Sequence, residues 1–108
     1  MLKTRITELF GIKYPIVGGC MMHLSGPEFV AAISNAGGLG MMASAMSDTQ
    51  EKFRQAVRQT QALTDKPFAV NLSLFPALRP IDNNLYVEVI LEEGVQVVET
   101  SGRRPPED

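Results

Sequence analysis

The sequence predicts an α/β fold built on a parallel sheet, and three observations carry that reading. Short apolar runs alternate with segments of helical periodicity. Glycine and proline punctuate the joins, as at Gly18-Gly19, Gly37-Gly38 and Lys66-Pro67. The apolar runs begin at residues 15, 39, 68 and 95, a period of about 27 residues, close to the length of a strand with its crossover helix.

Taken in order, residues 4–10 form a short amphipathic segment ahead of the repeat. Residues 15–19 (Pro-Ile-Val-Gly-Gly) read as a short buried strand that runs into a glycine turn. Ser25-Gly26-Pro27-Glu28 is a capping box with proline in the first turn. The helix it opens carries Phe29, Ile33 and Ala36 on one face and closes at Ala36-Gly37. Residues 39–44 are the second strand. Ser47-Asp48-Thr49-Gln50 is a second capping box, followed by a stripe of Phe53, Ala56, Val57 and Thr60, and Asp65-Lys66-Pro67 ends that helix.

The third strand, 68–74, alternates: Phe68, Val70, Leu72 and Leu74 share one face, and Ala69, Asn71 and Ser73 share the other. After an irregular loop from Pro76 to Asp82, Asp82 and Asn83 cap a third helix that carries Leu85, Tyr86, Val89 and Ile90 and stops at Gly94. Residues 95–99 are the fourth strand, and residues 102–108 read as the start of a loop. Right-handed crossovers between consecutive parallel strands place all three helices on one side of the sheet. Four strands and three crossover helices at this period are what the amino-terminal half of a TIM (β/α)8 barrel gives. The full barrel needs roughly 200 residues or more. Residues 1–108 are therefore expected to be the amino-terminal portion of such a domain, apparently truncated.

Bulk composition narrows the function. The formal net charge of −2 gives no electrostatic reason to expect nucleic acid. No apolar run reaches the length of a membrane span, and Lys3, Arg5 and Glu8 stand where a signal peptide would need apolar residues. One cysteine allows no internal disulfide, and a cytoplasmic location is expected.

Ligands of parallel α/β proteins bind at the carboxyl ends of the strands. There Gly18-Gly19-Cys20-Met21 could let a planar or phosphorylated ligand approach the backbone, or could simply be a tight turn. Gly37-Gly38-Leu39-Gly40 follows a helix and precedes a strand, the reverse of a phosphate cradle, so it is read as a helix stop with close packing at the strand entrance. Asn71 is an amide on the inner face of the third strand, either a ligand contact or a satisfied core amide. Glu99, Thr100 and Ser101 could line the same site or mark a strand leaving the core. His23 is read as a residue of the pocket rim, Cys20 as a small turn residue, and Met21 and Met22 as possible flanks of a flat ring. No metal-ligand cluster is present in the sequence.

Three stretches resemble the nitronate monooxygenase (2-nitropropane dioxygenase-like) family of FMN-dependent barrel enzymes: residues 5–16 (RITELFGIKYPI), 34–40 (SNAGGLG) and 65–72 (DKPFAVNL). The resemblance covers essentially the whole chain but only the amino-terminal part of a family member. It implies FMN at the carboxyl ends of the strands, Asn71 as the flavin-contacting asparagine, and the Gly19-Cys20-Met21-Met22 backbone close to the isoalloxazine. Gly18 and Cys20 depart from the glutamine and glycine frequent at those family positions. The implied activity oxidises alkyl nitronates to a carbonyl compound and nitrite, with a small nitronate and O2 as reactants. The family's catalytic histidine and phosphate-gripping loops belong to the second half of the barrel, so no catalytic residue is expected here, and the 108-residue chain alone is expected to show little or no nitronate oxidation. The alternatives are a flavin-type enoyl-acyl-carrier-protein reductase, which shares the early motifs, and a non-catalytic fragment that self-associates through open sheet edges as a homo-oligomer.

Overall fold

The computed structural model describes residues 2–21, 24–74 and 82–104. A leading helix α1 (Arg5–Phe10) precedes β1 (Val17–Gly18), α2 (Pro27–Asn35), β2 (Leu39–Ala43), α3 (Gln50–Leu63), β3 (Phe68–Ser73), α4 (Asn83–Glu93) and β4 (Val97–Ser101). A single 3-10 turn at Ser44–Met46 follows β2. All strand pairs are parallel, and the spatial order β1-β2-β3-β4 repeats the chain order. With α2, α3 and α4 on one face, this is the arrangement of four successive strands of a TIM (β/α)8 barrel. A doubly wound sheet would show a reversal of strand order.

The alternation read along β3 sorts the core into two clusters. Val70 and Leu72 join Val30, Met42, Phe53, Val57, Tyr86, Val89 and Ile90 in the layer between sheet and helices. The rings of Phe53 and Tyr86 meet edge to face at 5.0 Å, and the buried Tyr86 hydroxyl donates to the Ser47 carbonyl at 2.6 Å. On the inner face, Ala69 packs with Ile12, Leu39 and Met41. The turn after α1 thus supplies Ile12 to cover the amino-terminal end of that face. Thr4 and Thr7 cap α1 reciprocally, and Gly11 at φ 67° ends it.

The glycine cluster behaves as expected. Gly37 ends α2 at φ 105°, and its carbonyl accepts from the Lys13 and Tyr14 amides. A side chain on Gly40 would collide with the Val30 backbone carbonyl, so α2 lies close enough on β2 that only glycine fits.

Several boundaries differ from the sequence reading, each for a local reason. The 15–19 strand contracts to Val17–Gly18 and lies at a sheet edge, leaving Ile16 62% and Val17 43% exposed rather than buried. The fourth strand starts at Val97, not residue 95. The Val95 amide still bonds to the Ile90 carbonyl, around Gly94 at φ 74°, and so belongs to the helix end. Neither serine-led capping box forms: α2 starts at Gly26 without a side-chain cap, and α3 is capped by Thr49, which accepts from the Lys52 amide. The buried face of α2 is Val30, Ala31 and Ser34; Phe29 and Ala36 are exposed, because the contact at Gly40 turns the helix by its backbone. The α3 stripe and the Asp82 cap of α4 form as read.

Helices α3 and α4 are clamped by Arg54, which pairs with Glu92 and Glu93, and by Arg58, which shares Glu93 at 2.9 Å. Burial alone would raise the Glu93 carboxyl pKa. The hydrogen bonds and charges of Arg54 and Arg58 outweigh that and hold it below the usual carboxylate range.

Gly40→Ala should destabilise the fold by about 2 kcal/mol or more, since backbone must move. Gly19→Ala should stay within about 0.5 kcal/mol, because a Cβ there meets nothing within 4 Å. Urea unfolding midpoints test both. Glu93→Gln should lower the thermal midpoint at pH 7. Because the folded carboxyl is the stronger acid, its contribution is present above the unfolded pKa and fades as pH falls through the folded one. The gap between variant and wild type should therefore close in acid, as melts across pH would show.

Candidate functional site at the carboxyl ends of the strands

The polar side chains of the inner face collect where the strands end. Asn71 lies near the end of β3 and is 6% exposed. A buried amide needs partners, and the parallel register provides them: Asn71 pairs with Glu99, and Ser73 with Ser101, on the neighbouring strand. Asn71 Nδ2 donates to Glu99 Oε1 at 2.7 Å and to Ser101 Oγ at 3.2 Å. Among the described residues its Oδ1 has no hydrogen-bond partner. Thr100 stands opposite Leu72, whose side chain packs toward the helices, so of the three polar residues ending β4 only Glu99 and Ser101 join Asn71.

The second wall is the turn after β1. Gly19 has open space where a side chain would be. A side chain on Gly18 would instead meet the flexible tip of Ile33, so Gly18 accommodates packing from α2. Cys20 is half-buried against the inner-face cluster of Ile12, Leu39, Met41 and Ala69. Met21 is exposed, and Met22 and His23 lie outside the described residues. The Met21 peptide is tied down from both sides: its N–H donates to Ser25 Oγ at 2.7 Å, and its carbonyl accepts from the Leu24 and Ser25 amides. Ser25 is fully buried and holds the turn in place, a role that the sequence reading gave to helix capping.

Burial pushes the Cys20 thiol pKa up, and the charge of Glu99 pushes it further the same way. The thiol is therefore protonated near neutrality and a poor nucleophile, in keeping with a small turn residue. Among the described residues no group of three His, Cys, Asp or Glu is placed to hold a metal ion, and no helix is long and apolar enough to cross a membrane. Two hollows, of about 210 and 230 Å³, lie at the opposite end, where the strands begin, and share Lys66 and Pro67. Neither contains any of the site residues.

Glu99→Gln should shift the pH profile of Cys20 alkylation by iodoacetamide to lower pH. The profile should remain above that of a free thiol, since burial is the larger cause. An unmoved profile would disprove the electrostatic link between the two walls.

Comparison with known proteins agrees with the fold. The family model described as nitronate monooxygenase matches residues 3–105. The "(3aS,4S,5R,7aS)-5-hydroxy-7a-methyl-1-oxo-octahydro-1H-indene-4-carboxyl-CoA dehydrogenase" of Mycobacterium tuberculosis is 42% identical over 96 residues, 89% of this chain and 26% of that protein. A nitronate monooxygenase of Pseudomonas aeruginosa is 50% identical over 68 residues, 63% of this chain and 19% of that protein. Among solved structures, the M276A mutant of FabK from Thermotoga maritima superposes with a TM-score of 0.84 at 37% identity, over 96% of this chain and 33% of that one. A nitroalkane oxidase from Streptomyces ansochromogenes gives 0.73 at 26% identity, over 90% of this chain and 36% of that one. The chain thus spans about a fifth to a third of the proteins it matches. With the matched residues running almost from end to end over a sequentially ordered parallel sheet, the chain belongs to the nitronate monooxygenase family, whose named members are enzymes.

Proposed function

We propose that this chain forms one wall of the flavin site of an FMN-dependent oxidoreductase, and that the whole protein oxidises alkyl nitronates to a carbonyl compound and nitrite with O2. The observation that carries the reading is the Asn71 amide. It sits at the carboxyl end of a central parallel strand with both Nδ2 protons engaged and Oδ1 without a partner among the described residues. A flavin ring edge fits that vacancy in kind, because its imide offers an N–H donor to such an oxygen. Gly19 fits as well: its missing side chain serves no packing within the chain and leaves room for a flat ring.

FMN, when bound, supplies the electron acceptance and the reactivity toward oxygen. The chain's residues supply position. Asn71 Oδ1 would accept from an N–H donor on the ring edge, and Ser25 keeps the Met21 peptide fixed at the neighbouring turn. Ile12, Leu39, Met41 and Ala69 fill the inner face below and keep water from entering from that side. The protonated Cys20 adds neither charge nor nucleophile. No catalytic residue is assigned among these side chains, and Met22 and His23 lie outside the described residues. A cytoplasmic location accords with the free thiol of Cys20.

A second reading is redox chemistry on a thioester: a carboxyl-CoA dehydrogenase is among the relatives, and the early motifs also resemble those of flavin-type enoyl-acyl-carrier-protein reductases, which oxidise NAD(P)H. The test uses protein purified with its native flavin, released by heat and identified by chromatography. FMN together with nitrite release from a nitronate supports the first reading. NAD(P)H oxidation driven by an enoyl thioester, without nitrite, supports the second, and the absence of any flavin refutes both. Asn71→Leu should weaken FMN binding roughly 10- to 100-fold, matching about 1–3 kcal/mol for a lost buried hydrogen bond. The 108-residue chain alone should release negligible nitrite with added FMN.

A further inference from the structure

The two ends of an asparagine amide are nearly equal in shape and differ only in what they can do: the oxygen accepts and the nitrogen donates. Left alone, such a group can present either end to a ligand. At Asn71 the choice is made by its neighbours. A carboxylate can only accept, so Glu99 Oε1 at 2.7 Å takes the Nδ2 end and would repel the oxygen. Ser101 Oγ at 3.2 Å receives the second N–H. Both acceptors come from β4 and reach the amide because parallel register places Glu99 beside Asn71, and Ser101 one step further along the same face. Glu99 is itself exposed and serves no core, so packing does not account for its contact with the amide.

We propose that Glu99 is a positioning residue that acts through Asn71, locking the amide so that Oδ1 alone faces the ligand. The site then selects a planar ligand that offers an N–H donor, such as a ring imide, and rejects one that offers only acceptors. This inference rests on the flavin reading of the site for the identity of the donor. The hold of Glu99 on Asn71 does not depend on it.

The test has two arms. In the first, the Asn71 side-chain amide is followed by ¹⁵N–¹H NMR in the full chain without ligand. Wild type should show slowly exchanging Nδ2 protons. Glu99→Leu should move these signals and speed their exchange about tenfold or more, and Glu99→Gln, whose amide oxygen can still accept, should restore much of the protection. Unchanged Asn71 signals in Glu99→Leu overturn the proposal. In the second arm, FMN and its N3-methyl analogue are titrated by flavin fluorescence against the whole protein and its variants, with the second half of the barrel present. Wild type should prefer FMN by about tenfold or more. Glu99→Leu should reduce that preference to about twofold, because its freed amide can turn. Equal discrimination by wild type and Glu99→Leu overturns the proposal. The predicted NMR response with no flavin binding by wild type supports the hold of Glu99 on Asn71 and overturns the flavin reading.

Discussion

A buried amide on a sheet face is the constraint on which the rest of this structure depends. Asn71 can occupy that position only if its N–H groups find acceptors, and the acceptors stand on a different strand, in register, on the same face. The register is held from the opposite side of β3. Val70 and Leu72 are locked among Phe53, Val57, Tyr86 and Val89. A slip of one residue would drive Asn71 into that apolar layer and turn Val70 and Leu72 inward. The apolar core is thus what places the polar site, and the cost of burying an unpaired amide reinforces the same register.

That mutual dependence explains which features were legible in the sequence. The alternation along residues 68–74 exposed both faces of β3, and with them the core and Asn71, because a strand's period is indifferent to its neighbours. The stripe of α3 was legible for the same reason. The face of α2 was not. Its approach to the sheet is set by the bare backbone of Gly40 against the Val30 carbonyl, a contact without side chains and so without periodicity. The start of β4 was missed because the helix-ending bond from Val95 to Ile90 claims residues that look like strand. Ser25 read as a cap, since serine before Gly-Pro-Glu satisfies the pattern. Its hydroxyl instead holds the Met21 peptide, and only the folded turn reveals the choice. Glu99 and Ser101 were candidates whose partner could be named only once the strands were paired.

The two ends of the sheet are built for different work. At the amino-terminal end, the inner face is closed by Ile12 on Leu39, Met41 and Ala69, all apolar. At the carboxyl end it opens onto an amide, a carboxylate, a hydroxyl and a turn that lacks a side chain at Gly19. Barrels of this type concentrate chemistry at the carboxyl ends and stability at the other, and the contrast is already present across four strands. Fold and family leave the substrate open. Relatives named for nitronate oxidation and for a CoA-linked dehydrogenation both align with this portion of the chain. The portion they share therefore does not by itself choose between the two chemistries.

The electrostatics of the wall fit that division. Asn71 does not titrate, and Cys20 is kept protonated by burial and by the nearby carboxylate. Neither can take a proton from a substrate at neutral pH. Glu99 already commits one of its oxygens to the Asn71 amide. A group that spends its lone pairs on orientation serves poorly as a mobile base, because each proton it accepted would weaken the contact that fixes its neighbour. The inner wall is therefore suited to orienting a ligand rather than to moving a proton, since an acid–base step would call for a group whose own hydrogen bonds are free to change during turnover.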